Sequence, residues 1–139
     1  MTDPKTLKKP GALEAFREGA RDAKKDATSL EVLVEHFVVL GGKAEAEEAA
    51  RLWRFLPKAW TDYVDNPDPR DIERRAEKSV KLEDVYSQWL VSEDAQAHAD
   101  SIKELFAAGA TQIFVHAGNH DQQRVIDFYQ REVLPRVRG

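Results

Sequence analysis

His116 is the residue whose type and position best suit chemistry in this sequence. It closes a strand-like run, 112–116, that ends shortly before Gly118. Side chains alternate along a strand, so Ile113 and Val115 suit packing under helices, while His116 points to the other face. Barrel and doubly wound enzymes assemble their sites at the carboxyl ends of parallel strands. His116 is therefore a candidate site residue, and a purely structural hydrogen bond to the following turn carries equal weight.

Glu35 and His36 are two further polar residues, adjacent to each other in an apolar run. Adjacent residues of a strand face opposite ways, so the two cannot act as a pair unless the strand is bulged. In a barrel, one of them is expected to face the lumen, and the sequence leaves open which one. The alternative is that one is simply satisfied by a neighbouring strand or helix end.

His120 and Asp121 follow His116 closely and raise the question of a metal site. The histidine spacing resembles the i, i+4 pair of a helical zinc motif. However, Gly118 places the first histidine on a strand end, and no carboxylate motif accompanies it. There is no cysteine, no nucleophile elbow and no glycine-rich phosphate or dinucleotide loop. We therefore expect no metal, and no motif defines a mechanism by itself.

The elements that must position these residues alternate between helices and strands. Apolar residues at helical spacing predict helices, and apolar β-branched runs predict strands buried on both faces. Gly109 stands where a helix favours a left-handed residue, and Asn119 or Asp121 can cap the last helix. The predicted helices cover 12–20, 46–60 with Pro57 bending or ending it, 70–79, 82–86, 94–108 and 125–133, and the predicted strands cover 32–40, 89–91 and 111–118.

This alternation predicts an α/β fold with parallel strands. Two clear strands and one very short one are too few for an independent parallel sheet with both faces covered. We therefore expect residues 1–139 to form a single unit, with a helical insertion at about 61–88, that is the back portion of a longer fold. Unpaired strand edges invite pairing, so the chain is also expected to form a homo-oligomer.

Composition argues against several classes of protein. The chain has 42% hydrophobic residues, 33% charged residues and a formal net charge of −4, so it has no field of one sign that would recruit nucleic acid. No apolar run is long enough to span a bilayer, and the start lacks the apolar core of a signal peptide. We expect no nucleic-acid or membrane partner, a cytoplasmic location, and order everywhere except at the lysine-rich start.

The three tryptophans differ in their surroundings. Trp53 and Trp60 lie on a helical stripe and are expected in the core. Trp89 follows a polar insertion and opens an apolar tripeptide. It is therefore predicted to cover the mouth of a pocket.

The last third of the sequence resembles a known family. The segment 89–139, which begins WLVSEDAQAHADSIKELF and ends DFYQREVLPRVRG, is similar to the carboxyl-terminal end of the luciferase-like flavin and deazaflavin oxidoreductases. It is closest to the branch of coenzyme F420-dependent glucose 6-phosphate dehydrogenases. That branch ends with a W-[IL]-V segment, a helix, a strand reading F-V-H-A, a D-Q-R-R-like helix start and L-P-R-[LV]-R. AFREGARDAKKD and EEAARLWRF also look like this family, so the resemblance covers nearly the whole chain.

The resemblance implies the fold and the chemistry of the whole enzyme. The family fold is a (β/α)8 TIM barrel of roughly 300 residues or more, of which this chain would supply the carboxyl-terminal part, helix-rich with two main parallel strands. The implied function is hydride transfer between coenzyme F420 and a small alcohol or sugar-type substrate. FMN is the alternative coenzyme, because the same fold also serves flavin monooxygenases. Most of the coenzyme pocket would lie outside this chain.

The resemblance also implies substrate-side residues. Thr2 and Lys5 match a T-x-x-K turn that helps to hold the phosphate in the sugar-phosphate branch. Gln88 stands where that branch has an arginine, and Tyr63 falls near a further lysine. Loss of two cations weakens the charge-assisted grip on a phosphate, which argues against glucose 6-phosphate as the substrate. The substrate-binding candidates are Thr2, Lys5, Gln88, Trp89 and His116.

Two hypotheses of different classes follow. In the first, the chain is part of an oxidoreductase in which the protein orients the substrate and moves a proton while the coenzyme does the redox chemistry. In the second, it is a non-catalytic barrel fragment that buries its strand edges by self-association.

Overall fold

The computed structural model describes every residue from Met1 to Gly139. Helices and strands alternate along the chain, as the sequence pattern predicts. The helices are α1 (Pro4–Leu7), α2 (Ala12–Asp22), α3 (Lys43–Leu52), α4 (Pro69–Ser79), α5 (Leu82–Tyr86), α6 (Ala95–Ala107), α7 (Gln122–Phe128) and α8 (Leu134–Arg138), and the strands are β1 (Leu33–Leu40), β2 (Leu90–Ser92) and β3 (Gln112–Ala117).

The three strands form one parallel sheet in the order β2-β1-β3. β1 and β2 pair with Val38 opposite Leu90, Val39 opposite Val91 and Leu40 opposite Ser92. The central position of β1 explains its nearly continuous apolar sequence, because a middle strand of a parallel sheet is buried on both faces. The predicted α/β class is confirmed.

The chain divides into two compact units. Unit 1 consists of 1–36, 94–116 and 127–139, and unit 2 consists of 37–93 and 117–126. The chain passes from one unit to the other within β1, after His36. The expected single unit 1–139 with an insertion at about 61–88 stays a prediction.

The core of unit 1 lies between β1 and α6. Val34 is fully buried and packs with Leu7, Leu105 and Ala110. α6 ends at Ala107, and two residues later Gly109 has a φ of +104°. This confirms the expected left-handed glycine after the helix.

The lysine-rich start is ordered in the structure, contrary to expectation. Thr2 forms an isolated parallel bridge with Val34, and Asp3 caps α1 by accepting a hydrogen bond from the Thr6 amide. Leu7 is buried in the core of unit 1. The burial of Leu7 and the capping of α1 by Asp3 hold this segment in place, and composition alone reveals neither.

The core of unit 2 contains small side chains, which allow the neighbouring strand and helix to pack closely. Val39 packs with Ala46 and Ala49, and a second cluster contains Val80 and Val85. The predicted helix 46–60 ends as an α-helix at Leu52 and is followed by a 3-10 turn, Leu56–Lys58, that contains the proline. The helix-ending effect of Pro57 is therefore confirmed.

Trp60, which was expected in the core, is exposed. Trp60 is 84% exposed, because the helical stripe on which it was placed has already ended. Ile126 on the last helix is 56% exposed. The predicted burial of Trp60 is wrong, since helical spacing alone does not fix where a helix ends or how far its apolar face extends.

The last helix begins and ends close to the predicted positions. The Arg124 amide donates to the Asp121 carboxylate at 3.0 Å, so Asp121 is one of the two expected capping residues that does cap. α7 and α8 are joined by a π-helical turn, Tyr129–Val133. A π-turn contains one extra residue and locally rotates the helix. The sequence pattern did not predict this turn.

Candidate functional site

Glu35 and His116 form the polar pair at the centre of the candidate site in unit 1. β1 carries Glu35 and β3 carries His116, and Nδ1 of His116 lies 2.9 Å from Oε1 of Glu35. The two side chains are 36% and 33% exposed. A carboxylate only accepts, so the Nδ1–H of the ring donates, and in the neutral ring Nε2 then carries the lone pair. The pair can therefore hold a hydroxyl group by accepting its proton in a hydrogen bond.

His36 lies on the opposite face of β1 from this pair. It is 6% exposed, and its Nε2 is 3.0 Å from Oγ of Ser101 on α6. Burial lowers the pKa of His36 to about 4, with smaller contributions from the charges of His98 and Lys8. The ring is therefore neutral at pH 7 and packed under a helix. Between Glu35 and His36, which the sequence left open, it is Glu35 that shares a face with His116.

Thr2 is held beside Glu35 by the backbone. The Thr2 amide donates to the Leu33 carbonyl at 2.8 Å, and the Glu35 amide donates to the Thr2 carbonyl at 2.9 Å. On the other edge of β1, the Thr111 amide donates to the Val32 carbonyl at 2.9 Å. Alternate residues of a strand bond to opposite neighbours, so Thr2 and β3 flank the two edges of β1. The structure thus brings the backbone of Thr2 next to that of Glu35, while the bridge with Val34 places the Thr2 side chain on the opposite face of β1 from the Glu35–His116 pair.

Lys5 lies close to Thr2 in sequence but is separated from it by the cap of α1. It is exposed in the last turn of that helix. Between the two residues, Oδ1 of Asp3 accepts from the Thr6 amide at 2.9 Å. Residues 2–5 thus form a capped helix start in which the Asp3 carboxylate accepts from the Thr6 amide, and the predicted substrate-binding role of Thr2 and Lys5 stays a prediction.

Trp89 and Gln88 belong to unit 2. The Trp89 ring is stacked on Phe37, with centroids 5.4 Å apart and planes 12° apart, and Phe37 also meets the edge of Trp53 at 5.6 Å. Trp89 is half-buried and packs against the cluster that contains Val39. Gln88 is exposed in the turn before it. Trp89 is thus fixed in place by aromatic packing, and its role and that of Gln88 in binding stay predictions.

Tyr63 has a structural position in unit 2. It is 5% exposed, its hydroxyl lies 3.4 Å from Oγ of Ser79, and the guanidinium of Arg75 lies 5.2 Å from the ring centroid. A buried tyrosine covered by an arginine is typical of a cation–π contact in a small core. Tyr63, which falls near a lysine of the sugar-phosphate branch, is therefore a packing residue in this chain.

Sequence reasoning missed a buried polar pair in unit 1. His98 on α6 is fully buried, and its Nδ1 lies 2.8 Å from the hydroxyl of Tyr129, the first residue of the π-turn. The ring of Phe128 meets the His98 ring edge-on at 5.5 Å. Burial raises the pKa of Tyr129. A histidine on the apolar face of a predicted helix was the available signal, because a buried histidine requires a hydrogen-bond partner.

The described residues contain no group of three or more His, Cys, Asp or Glu arranged to hold a metal ion. His120 is exposed, and its Nε2 lies 3.7 Å from Oε1 of Glu48 in unit 2. None of the helices combines the length and the apolar character that crossing a membrane requires.

Alternating helices and three parallel strands define the class as α/β. Comparisons with known proteins then identify relatives. No protein-family model matches the chain. The chain is 40% identical over 126 residues to an F420-dependent hydroxymycolic acid dehydrogenase of Mycobacterium tuberculosis. It is 30% identical over 128 residues to an F420-dependent glucose-6-phosphate dehydrogenase of Rhodococcus jostii. Each match covers 91% of this chain.

A solved structure supports the same relationship. An F420-dependent secondary alcohol dehydrogenase, in complex with an F420-acetone adduct, matches the chain with a TM-score of 0.76 at 28% identity. The match covers 98% of this chain and 41% of that one. The chain spans 33% and 38% of the length of the two curated relatives and matches their carboxyl-terminal part. It is homologous to that part of the F420-dependent dehydrogenases and has the fold of the carboxyl-terminal part of a luciferase-like (β/α)8 barrel, so the resemblance is confirmed.

Proposed function

We propose that the chain is the substrate-side part of an F420-dependent dehydrogenase that oxidises a small alcohol or sugar-type hydroxyl group. The observation that carries this proposal is its homology to F420-dependent dehydrogenases over 91% of its length. The Glu35–His116 pair supplies polar groups that such a substrate can use, and His116 lies next to the last residue of β3.

The residues of this chain act on the hydroxyl side of the reaction. The substrate O–H donates to the Glu35 carboxylate or to the His116 ring, which orients the carbon that loses its hydride. As the carbon–oxygen double bond forms, the hydroxyl proton passes to this pair. Thr2, held against β1 by one backbone hydrogen bond to Leu33 and one from Glu35, limits the movement of the strand that carries the Glu35 carboxylate. Coenzyme F420 supplies the hydride acceptor when bound, with FMN as the alternative.

The described residues fit the coenzyme only in part. The half-buried ring of Trp89 is aromatic, but Phe37 already stacks on it, so it offers a planar ring system at most its other face. The buried polar residues are His36 and His98, so the chain holds no buried Lys or Arg for the anionic side chain of the coenzyme. We therefore assign that side chain to no residue of this chain.

Coenzyme titration tests the proposal. The purified chain is titrated with oxidised F420 and, separately, with FMN, and the visible absorption and fluorescence are followed before and after addition of secondary alcohols. We expect F420 to bind and to be bleached by an alcohol, and His116→Gln to lower the rate at least tenfold. His120→Gln is the matched control, because His120 is an exposed histidine paired with Glu48. Binding of FMN in place of F420, or equal effects of the two substitutions, would contradict the proposal.

A second candidate function, that of a self-associating barrel segment, is favoured by the surface of β3. β3 is the outer strand of the sheet order, and Phe114 and Val115 on it are 48% and 37% exposed. An exposed apolar edge strand is a site for pairing with another copy. In this case the mass in solution exceeds that of one chain, and Phe114→Lys restores the monomer. Phe106→Lys is the control, because Phe106 is 44% exposed on a helix. A wild-type monomer removes this candidate.

A further inference from the structure

We infer that Phe114 is a specificity-determining residue that makes the site of unit 1 take an alcohol with an apolar body in preference to a polyhydroxylated sugar. This inference rests on the proposed function and narrows its substrate class. The relatives leave the choice open, since one is named for glucose 6-phosphate and the structural neighbour for a secondary alcohol. The sheet face that carries the Glu35–His116 pair decides between them.

Phe114 lies on the same face of the sheet as the Glu35–His116 pair. Side chains alternate along a strand, so Phe114 shares a face with His116, which follows two residues later in β3. Two residues of a parallel strand span about 7 Å. A ligand whose hydroxyl group meets His116, and whose carbon body extends back along β3, therefore places that body over the Phe114 ring.

The register between β1 and β3 places Leu33 across from Phe114. Two side-chain hydrogen bonds join this end of β1 to β3, each between residues 81 apart in sequence: Glu31 with Gln112, and Glu35 with His116. Leu33 and Phe114 have the same separation in sequence, and each lies midway between the two hydrogen-bonded residues of its own strand. The two apolar side chains therefore form a strip that is bounded at each end by a hydrogen-bonded polar pair.

This face of the two strands is accessible in unit 1. Leu33 and Glu35 are half-buried, whereas Val34 and His36, which point to the other face of β1, are buried. Phe114 is 48% exposed. An exposed aromatic ring on the same face as a partly exposed polar pair offers apolar contact to a ligand whose hydroxyl group the pair binds.

The apolar strip suits an apolar body better than a ring of hydroxyl groups. Further hydroxyl groups of a sugar would lie over Leu33 and Phe114, whose side chains offer no hydrogen-bond partner. A polar group that leaves water without finding a partner costs free energy. An alkyl or cycloalkyl body instead buries apolar surface against the same side chains, which is favourable. The arrangement therefore favours an alcohol whose only polar group is its hydroxyl.

Ligand titration of the full chain tests this inference without the coenzyme. Cyclohexanol and inositol are matched ligands, because both are carbon rings of the same size that carry a secondary hydroxyl group, and only cyclohexanol is otherwise apolar. The amide chemical shifts of Glu35 and His116 are followed by NMR, and the curvature of each titration gives the dissociation constant. Phe114→Ala removes the aromatic ring, whereas Phe114→Leu keeps most of the apolar surface.

We expect the wild type to bind cyclohexanol at least fivefold more tightly than inositol. Phe114→Ala should weaken cyclohexanol binding about fivefold, the value for the loss of roughly 40 Å² of apolar contact, and should leave inositol binding unchanged. Phe114→Leu should retain most of the affinity for cyclohexanol. Phe106→Ala is the control, because Phe106 is 44% exposed on α6, and it should leave both affinities unchanged.

Three results would overturn the inference. The first is the absence of measurable cyclohexanol binding to the wild type, and the second is equal affinity for the two ligands. The third is an unchanged cyclohexanol affinity in a Phe114→Ala variant whose spectrum remains that of a folded protein. The mass in solution is recorded for each variant because β3 is an outer strand of the sheet. A change of mass without a change of affinity also counts against the inference.

The outcomes separate this inference from the proposed function. If F420 fails to bind but Phe114→Ala loses the preference for cyclohexanol, the proposed function fails and the selectivity for an apolar body stands. If F420 is bleached by inositol as efficiently as by cyclohexanol, the proposed function stands and the selectivity is overturned.

Discussion

The side-chain amide of Asn119 forms two hydrogen bonds with the backbone of Leu40, the last residue of β1. Its Nδ2 donates to the Leu40 carbonyl and its Oδ1 accepts from the Leu40 amide, both at 2.9 Å. Next to it, the Gly118 amide donates to the Val38 carbonyl at 2.9 Å. The amide side chain thus continues the hydrogen bonding of the strand past the point where the chain turns into α7.

Substitution of Asn119 should destabilise unit 2. In Asn119→Asp the donor is lost and a carboxylate oxygen faces the Leu40 carbonyl, so we expect a loss of about 1–3 kcal/mol in the free energy of unfolding. Urea denaturation measures this loss. His120→Ala changes the exposed neighbouring residue and should stay within about 0.5 kcal/mol of the wild type. Equal effects of the two substitutions would show that the two bonds to Leu40 contribute nothing.

Two glycine-to-alanine substitutions should have opposite effects. A Cβ on Gly118 would lie 2.9 Å from Cβ of Ala49 and 3.3 Å from Cγ2 of Val39, whereas a Cβ on Gly19 meets nothing within 4 Å. Gly118→Ala should therefore cost about 1–3 kcal/mol through overpacking. Gly19→Ala in the middle of α2 should gain about 0.5–1 kcal/mol through helix propensity. Thermal denaturation of both variants checks the two signs, and a stabilised Gly118→Ala would contradict the close packing.

His36 should make stability depend on pH. Its pKa is about 4 in the folded chain, against an ordinary value of 6.5. Between these pH values the unfolded chain binds the proton and the folded chain does not, so stability falls as the pH falls from 6.5 to 4. Above 6.5 the ring is neutral in both states, and below 4 it is charged in both. The loss over this window is at most about 3 kcal/mol.

The contribution of His36 is measured as the difference in the pH dependence of stability between the wild type and His36→Gln. Urea denaturation over this pH range in the wild type and in His36→Gln isolates the contribution of one group from the other titrating groups. The wild-type curve should be steeper than that of His36→Gln. Parallel curves for the wild type and His36→Gln would disprove the buried neutral ring.

Tyr129→Phe and Tyr63→Phe each remove the hydroxyl group of a tyrosine, and the two tyrosines are buried to a similar extent. Tyr129 is 8% exposed and Tyr63 is 5% exposed. The Tyr129 hydroxyl lies 2.8 Å from Nδ1 of the fully buried His98, whereas the Tyr63 hydroxyl lies 3.4 Å from Ser79. Tyr129→Phe should cost about 1–3 kcal/mol because it deprives a buried histidine of a partner, and Tyr63→Phe should cost less than about 1 kcal/mol. Calorimetric unfolding of both variants measures the difference, and the reverse order would be evidence against the importance of the His98 contact.

Much of the fold follows from local pattern. The β-branched run of β1, the helical spacing of α6 and the glycine after it were each sufficient to predict an element within a few residues. The π-turn at Tyr129 and the exposure of Trp60 were not predictable in this way. Both depend on how a helix meets its neighbours, and periodicity within one helix does not contain that information.

For the candidate site, the sequence by itself determined that Glu35 and His36 face opposite ways and that His116 ends a strand, because side chains alternate along an extended backbone. Only the tertiary structure decided that Glu35 meets His116, that His36 is buried against Ser101, and that Asp3 already holds the amide beside Thr2. Glu35 and His116 are separated by 81 residues. Their contact depends on which strands become neighbours and in which register, and those are set by packing of the whole sheet rather than by any local preference of the chain.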